Sequence, residues 1–452
     1  MNQRLLVAVL LIAPLSLFSS ISFGAESLAS IYQKALERDP EIAAAKFAME
    51  AGQEQSSQGL SPLLPQLNLS GNIGRSHTKT EPDSSDPVLG KNRSIDSDSQ
   101  SIGIILSQNL FNASNFKGYK QSKSASKQTS IEYKIAEQSL ILRVAKSYFD
   151  VLSAQENLSV AQSQTRAFLE SLERAKLTFK VGTATKTDKL EAQARYDLAR
   201  ADEISASNQL SIAKQALASI IGESPDNLLA LNKQATLSMI TPEDMQYWVD
   251  LAMKNNFQLE LSQSGLEISS QEVSKLKSDR LPTLDFVASA SKGKQYDFRS
   301  DSDADTTNYK VAIELKMPLY TGGLMSSRIR EAEHLRSQQQ QNQITSQRQV
   351  ILQTQQAFLT AMNGKQQTDA LKQALVSSES ALQATRKGVE VGVRTNLDLL
   401  DAQQQFFATE RDYSFAKYNY LLSVLDLKAA AGILSDKDVE QLNNLLSAAG
   451  NS

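Results

Sequence analysis

Two halves of this chain repeat one another, and that duplication limits its fold more than composition does. Leu60-Ser-Pro-Leu-Leu-Pro65-Gln-Leu67 parallels Ser278-Asp-Arg-Leu-Pro282-Thr-Leu284, and Leu110-Phe111-Asn112 parallels Leu319-Tyr320-Thr321. Phe179-Lys-Val-Gly182 followed by Thr187-Asp188-Lys-Leu190-Glu-Ala192-Gln193 parallels Val389-Glu-Val-Gly392 followed by Leu397-Asp398-Leu-Leu400-Asp-Ala402-Gln403. Each half closes on a similar helix end, Leu217 to Gly222 and Leu427 to Gly432. The offset is about 217 residues at Leu67/Leu284 and about 210 at the later motifs, so copy one carries the longer polar loop between Leu67 and Phe111. A repeat of this size makes one structural plan, built twice, the first expectation.

Within each half the pattern reads helix, two strands, very long helix, tight turn, helix. The first helices are predicted from about Ser27 to Leu60 and from Glu243 to Arg280, each stopped by a proline. The long helices, about Asn115 to Thr178 and about Ser326 to Gly388, contain no proline and almost no glycine. At ~1.5 Å per residue each would be ~95 Å long. The third helices run from about Thr187 to Ile221 and from Leu397 to Ala431. The two shorter helices of a half sum to roughly the long one, so they can stack end to end beside it as a two-layer rod. A globular domain has no use for such lengths, whereas a coiled-coil tube does. Only 10 Pro, 19 Gly and one Trp occur in 452 residues, which suits long helices. The Gln-rich run Ser337 to Gln356 falls inside the second long helix and reads as a solvated face.

The boundaries follow: a leader at 1–24, a first repeat at 25–222 (hairpin about 65–111, long helices 115–221), an inter-repeat segment at 223–241, a second repeat at 242–432 (hairpin about 282–320, long helices 326–431) and a tail at 433–452. The leader reads as a secretory signal: Arg4, the apolar run Leu5 to Phe18, then small residues in Ser22-Phe23-Gly24, with the mature chain expected from Ala25. That run is too short to span a membrane as a helix, and no later stretch approaches twenty apolar residues. With no cysteine there is no disulfide framework, cysteine metal site or lipidated cysteine. A net charge of -3 gives no reason to expect nucleic acid.

Between the first two helices of each half the period changes to two. Leu67, Leu69, Gly71 and Ile73 alternate with Gln66, Asn68, Ser70 and Asn72, and Ile102, Ile104 and Leu106 with Gly103, Ile105 and Ser107. In copy two, Leu284, Phe286, Ala288 and Ala290 alternate with Asp285, Val287, Ser289 and Ser291, and Tyr309, Val311, Ile313 and Leu315 with Lys310, Ala312, Glu314 and Lys316. Such segments fit either a water-soluble hairpin packed on a helix or outer-membrane strands. The polar stretches His77 to Gln100 and Lys292 to Thr307, read as long outward loops, favour the membrane. Four spanning strands cannot close a barrel, and an open edge in lipid leaves costly unpaired backbone groups. Two chains would give eight strands and a filled interior; three give twelve and a lumen. If the hairpins span, a homotrimer is the smallest conducting assembly.

In this order the motifs resemble the TolC-like outer-membrane factors of tripartite efflux and type I secretion systems, over nearly all of the chain beyond the leader. The paired Leu-Pro strand starts, Met317-Pro-Leu-Tyr-Thr-Gly-Gly323, and above all Val391-Gly-Val-Arg-Thr-Asn-Leu-Asp-Leu-Leu-Asp-Ala402 with its degenerate partner Val181 to Ala192, carry the resemblance. Copy one has Ala113-Ser114 where copy two has Gly-Gly. The resemblance implies a mainly α protein with membrane β: a trimeric twelve-stranded outer-membrane barrel, continued by a long α-helical coiled-coil tunnel across the periplasm. The inter-repeat segment and the tail would form an equatorial belt. It further implies a passive exit duct, with a periplasmic adaptor (membrane fusion) protein and an inner-membrane RND or ABC transporter as partners, in contact with outer-membrane lipid.

Asp398 and Asp401 lie three apart, hence on one helix face. Acids in a first turn complement the helix dipole, whereas the resemblance makes them a carboxylate ring at the periplasmic entrance. Six carboxylates there would favour cations and bind blocking multivalent ones; clustering is expected to raise their pKa, weakening selectivity in acid. By resemblance, Arg394 is a gate latch with Thr187 and Asp188 of a neighbouring chain as partners; the plain alternative is a solvated surface pair. Positions where the family has a second, aromatic–amide latch hold Val389 and Leu177. Val181-Gly182-Thr183 and Val391-Gly392-Val393 are tight turns that glycine permits, and by resemblance they also dock the adaptor. Nothing resembles an active site, metal site or cofactor motif; His77 lies in polar sequence, and the Glu331/His334 pair is surface. An adhesive coiled-coil surface protein would need an anchor, and a periplasmic adaptor carries one hairpin, not two. The cargo is not legible.

Overall fold

A computed structural model describes residues 25–81, 93–225, 227–232, 237, 239–297 and 302–447. The expected leader at 1–24, the end of the tail and parts of the hairpin loops and inter-repeat segment lie outside the described residues.

The two long helices are the frame. With no proline to interrupt them, α3 (Ala113–Lys180) and α7 (Leu324–Glu390) run 68 and 67 residues, or ~100 Å each. Each carries two helices end to end along its side, α2 (Pro40–Leu60) and α4 (Lys186–Ile221) on α3, and α6 (Phe257–Ser278) and α8 (Asn396–Ala430) on α7. The halves join because α3 also packs against both α6 and α8. The seam of α4 is spelled in alanine: Ala192, Ala199, Ala206 and Ala213 recur every seventh residue and are all buried. A seven-residue period is coiled-coil spacing, and the small side chain brings α4 close to α3. On another face of α4, Leu190, Leu198, Ile204 and Ile212 stay exposed.

The first helix of each copy is not continuous, contrary to the expected spans Ser27–Leu60 and Glu243–Arg280. It divides into α1 (Leu28–Arg38) and α2, and into α5 (Met245–Asn255) and α6. Pro40 disfavours helical backbone at Asp39. Asp39 turns extended (ψ 120°), and its Oδ1 accepts from the Glu41 and Ile42 amides at 2.7 and 3.0 Å. Asn256 does the same without proline, accepting from Gln258 and Leu259 at 2.9 and 3.2 Å. Asp39 is buried and paired with Arg143 at 3.1 Å.

Set off by these breaks, α1 and α5 pack against the middle of the long helices. Ile31 and Ala35 of α1 join Tyr148 and Phe149 of α3 and Tyr418 of α8 in the largest core cluster, and α5 places Trp248 beside Phe358 of α7 and Leu427 of α8. Phe149 meets Tyr148 edge-to-face and lies tilted against Tyr418, at centroid separations of 5.8 and 5.7 Å. Burial of each ring stabilises by ~2–3 kcal/mol. The inter-repeat segment and the tail meet here: β3 (Ala230–Leu231) pairs antiparallel with β6 (Leu446–Ser447), beside α9 (Asp436–Asn443), and Tyr148 Oη donates to the Leu229 carbonyl at 2.7 Å.

Past the far ends of α2 and α6, each Leu-Pro step starts a strand. β1 (Gln66–Thr80), β2 (Arg93–Phe111), β4 (Thr283–Asp297) and β5 (Ser302–Lys316) form one antiparallel sheet in the order β1-β2-β4-β5. Leu67, Leu106, Ala288 and Val311 share a rung. One face is apolar and open to its surroundings, with Ile73 84% and Tyr309 81% exposed; the other carries Asn68, Ser70, Ser101, Ser289 and Asn308. Among the described residues, β1 and β5 have no partner on their outer edges. Within the stretches expected as loops, His77 to Gln100 and Lys292 to Thr307, residues 77–80, 93–100, 292–297 and 302–307 are instead strand. Their polar side chains pair across the sheet, Arg75 with Asp98 at 2.6 Å, His77 with Asp96 at 2.6 Å and Lys294 with Asp305 at 3.8 Å, so the ladder continues past the apolar band.

The Gly-Gly difference between the copies has a local cause. Gly322 and Gly323 both take positive φ (62° and 85°) before α7, whereas copy one reaches α3 through extended Asn112, whose Oδ1 caps the Ser114 and Asn115 amides. An asparagine cap replaces the glycine turn.

Candidate functional site at the helical tips

At the ends opposite the sheet, both long helices reverse within a short turn, Val181 to Thr185 and Val391 to Thr395. Gly182 and Gly392 sit at φ 80° and 78°, a left-handed backbone that glycine adopts without a Cβ penalty. The last carbonyls are satisfied from the turn: the Thr183 amide donates to Thr178 O at 2.9 Å, and the Val393 and Arg394 amides donate to Gly388 O at 2.9 and 3.1 Å. Val181, Val391 and Val393 point away from the chain, 72%, 73% and 75% exposed.

The next helix is started by a reciprocal cap in both copies. Thr185 Oγ1 accepts from the Asp188 amide at 3.1 Å while Asp188 Oδ2 accepts from the Thr185 amide at 2.8 Å. Thr395 and Asp398 repeat this at 3.1 and 2.9 Å. Thr185 and Thr395 lie outside the set of residues expected from sequence, although Thr-x-x-Asp is a legible signal for such a cap. The cap holds the Asp398 carboxyl below the usual carboxylate range, through hydrogen bonds from the Thr395 backbone and side chain first, with the Arg394 charge adding to it. Within one chain this opposes the rise expected from clustering in a ring.

Asp398 and Asp401 share a face but differ in state. Asp398 caps its own helix, while Asp401 Oδ1 accepts from Arg195 Nη2 of α4 at 2.8 Å. Between them, Leu400 is buried among Phe168, Leu172, Ala175, Ala192 and Ala199, and Ser171 Oγ donates to the buried Gln403 at 3.2 Å. The start of α8 is thus packed on the α3–α4 pair. The cation that reaches Asp401 comes from the turn of α4 that follows the buried Ala192.

The remaining predicted residues are not brought together within one chain. Thr187 lies exposed in the first turn of α4, and Asp188 is engaged by its cap. The Arg394 side chain lies over Gly388, where a Cβ would fall 2.7 Å from its Cγ. Among the described residues its guanidinium makes no hydrogen bond or ion pair, so any latch with Thr187 or Asp188 must run between chains. Arg195 carried no sequence signal: its partner is 206 positions away. Among the described residues, no helix is long and apolar enough to cross a membrane.

A sheet with an exposed apolar face and two open edges, carried on ~100 Å helices, defines an outer-membrane channel protein with a long helical stalk. Similarity to known proteins points the same way. The outer membrane efflux protein family model matches residues 31–223 and 248–433, and the chain belongs to that family. It is 32% identical over 443 residues to the outer membrane protein TolC of Vibrio cholerae, covering 95% of this chain and 97% of that protein. It is 30% identical over 416 residues to the alkaline protease secretion protein AprF of Pseudomonas aeruginosa, covering 90% and 85%. The crystal structure of the Campylobacter jejuni CmeC outer membrane channel superposes with a TM-score of 0.75 at 18% identity, covering 93% of this chain and 90% of that one. The protein is an outer-membrane efflux channel component of a Gram-negative envelope.

Proposed function

We propose that three copies of this chain form one twelve-stranded barrel and one helical tunnel, a passive exit duct that a periplasmic adaptor and an inner-membrane RND or ABC transporter recruit and open. The observation that carries this reading is the four-stranded sheet with open edges at β1 and β5. In lipid those edges must be paired, and β1 of one chain against β5 of the next pairs them without new elements. The exposed Leu190, Leu198, Ile204 and Ile212 stripe of α4 is apolar surface that a neighbouring chain would cover in the same assembly.

The domain plan follows. The inter-repeat segment and the tail, joined by β3–β6, form a belt at mid-height, and the leader at 1–24 directs export. At the mouth, Asp398 and Asp401 of three chains supply a carboxylate ring that favours cations. Arg394 latches to Thr187 and Asp188 of the neighbouring chain, and the exposed turns Val181-Gly182-Thr183 and Val391-Gly392-Val393 dock the adaptor. The duct performs no covalent chemistry and needs no cofactor. AprF is named for protease secretion, which supports a type I secretion role beside small-molecule efflux.

Fractionation with gel analysis tests the assembly. The protein is expected in the outer membrane as a trimer that dissociates on heating; a soluble monomer overturns the reading.

A further inference from the structure

We propose that Arg195 masks Asp401, so that the carboxylate charge presented by the mouth depends on whether α8 is packed against α4. This rests on the reading of Asp398 and Asp401 as the mouth's acidic ring. In the described conformation Arg195 Nη2 lies 2.8 Å from Asp401 Oδ1, with Arg195 28% and Asp401 58% exposed at the side chain. The pair sits directly beside the buried Leu400 and the Ala192–Ala199 seam, so it forms where α8 meets α4 and is lost if α8 swings away.

The duplication shows that the contact is directional. Copy two has Gln405 where copy one has Arg195, and copy one has Glu191 where copy two has Asp401. Glu191 is an acid four residues before Arg195 on α4, yet the guanidinium reaches across to Asp401 of the other hairpin. Asp398 is held differently, by Thr395 of its own helix, and among the described residues no arginine lies within ion-pair distance of it. With α8 packed, each chain offers the mouth one carboxylate without a cation at contact distance; with α8 released, it offers two. The mouth then attracts cations more strongly when open than when closed. An exposed pair adds little to folding, so its effect is on the charge the pore presents rather than on stability. Arg195 is therefore a positioning residue for the ring.

The test is the reversal potential of purified trimers in planar bilayers under a KCl gradient, with block by hexaamminecobalt(III) as a second readout. Arg195→Gln is expected to raise the cation-to-anion permeability ratio by at least about twofold, because the potential at the mouth grows with the unpaired charge and selectivity depends exponentially on it, and to strengthen trivalent block. Arg195→Lys should stay near wild type, because it keeps the cation. Wild-type selectivity in Arg195→Gln, or a fall, overturns the masking. The double variant Asp398→Ala/Asp401→Ala separates the two failures. If it leaves selectivity unchanged, the acidic ring itself is wrong; if it lowers selectivity while Arg195→Gln changes nothing, only the masking is.

Discussion

Leu400 is the side chain that holds the start of α8 against the α3–α4 pair, and its truncation separates gating from stability. It is buried to 2% among Phe168, Leu172, Ala175, Ala192 and Ala199. Core Leu→Ala changes cost about 2–5 kcal/mol. The low end applies here, because the cluster is small and the ion pair beside it is exposed, so about 2 kcal/mol per chain is expected. If opening the mouth withdraws Leu400 from this cluster, Leu400→Ala destabilises the closed state by that amount in each chain. Three chains moving together shift the balance by about 6 kcal/mol, enough to invert a closed-to-open ratio of about 100 to 1. Single-channel conductance in planar bilayers reads the shift, and urea unfolding reads the stability. Leu421→Ala is the control, a buried leucine of the same helix in the main core cluster, with similar stability loss and no gain in conductance. Should Leu400→Ala lower stability while conductance stays at the wild-type level, the packing of α8 on α4 is not what closes the mouth.

Three further outcomes are expected. Arg394→Ser should raise single-channel conductance; an unchanged value refutes the inter-chain latch. Thr395→Ala removes one arm of the reciprocal cap and should destabilise the α8 start by about 1 kcal/mol, read as faster amide exchange in its first turn with the core unaffected. Because the folded Asp398 carboxyl is held below its usual 3.8, its contribution is present above that pH and lost as pH falls further; exchange there should quicken below the usual value, and protection that persists through strong acid contradicts the cap.

The parts of this fold governed by local chemistry are readable in the sequence. Absence of proline across Ala113–Lys180 and Leu324–Glu390 makes long helices, and Gly182 and Gly392 mark where they reverse. Alternation in Leu67–Ile73 and Tyr309–Leu315 makes strands with one apolar face. Other features are equally local but less conspicuous. Pro40 and the Asp39 cap divide the first helix, Thr185 and Thr395 precede their aspartates by one helical turn, and Ala192 to Ala213 recur every seventh residue. The polar strand ends resemble loops because loops and cross-strand polar ladders share a composition; cross-strand pairing such as Arg75–Asp98, His77–Asp96 and Lys294–Asp305 separates them. What sequence could not supply is long-range placement. That Arg195 faces Asp401 depends on how α4 and α8 lie side by side, and nothing within either segment encodes it.

The acidic mouth of a conducting trimer is tested most directly by the reversal potential of the purified protein in a planar bilayer under a KCl gradient, for wild type and for Asp398→Ala/Asp401→Ala. A cation-selective channel whose selectivity falls in the double variant is the expected result; no conductance, anion preference, or an unchanged potential in the variant would contradict it.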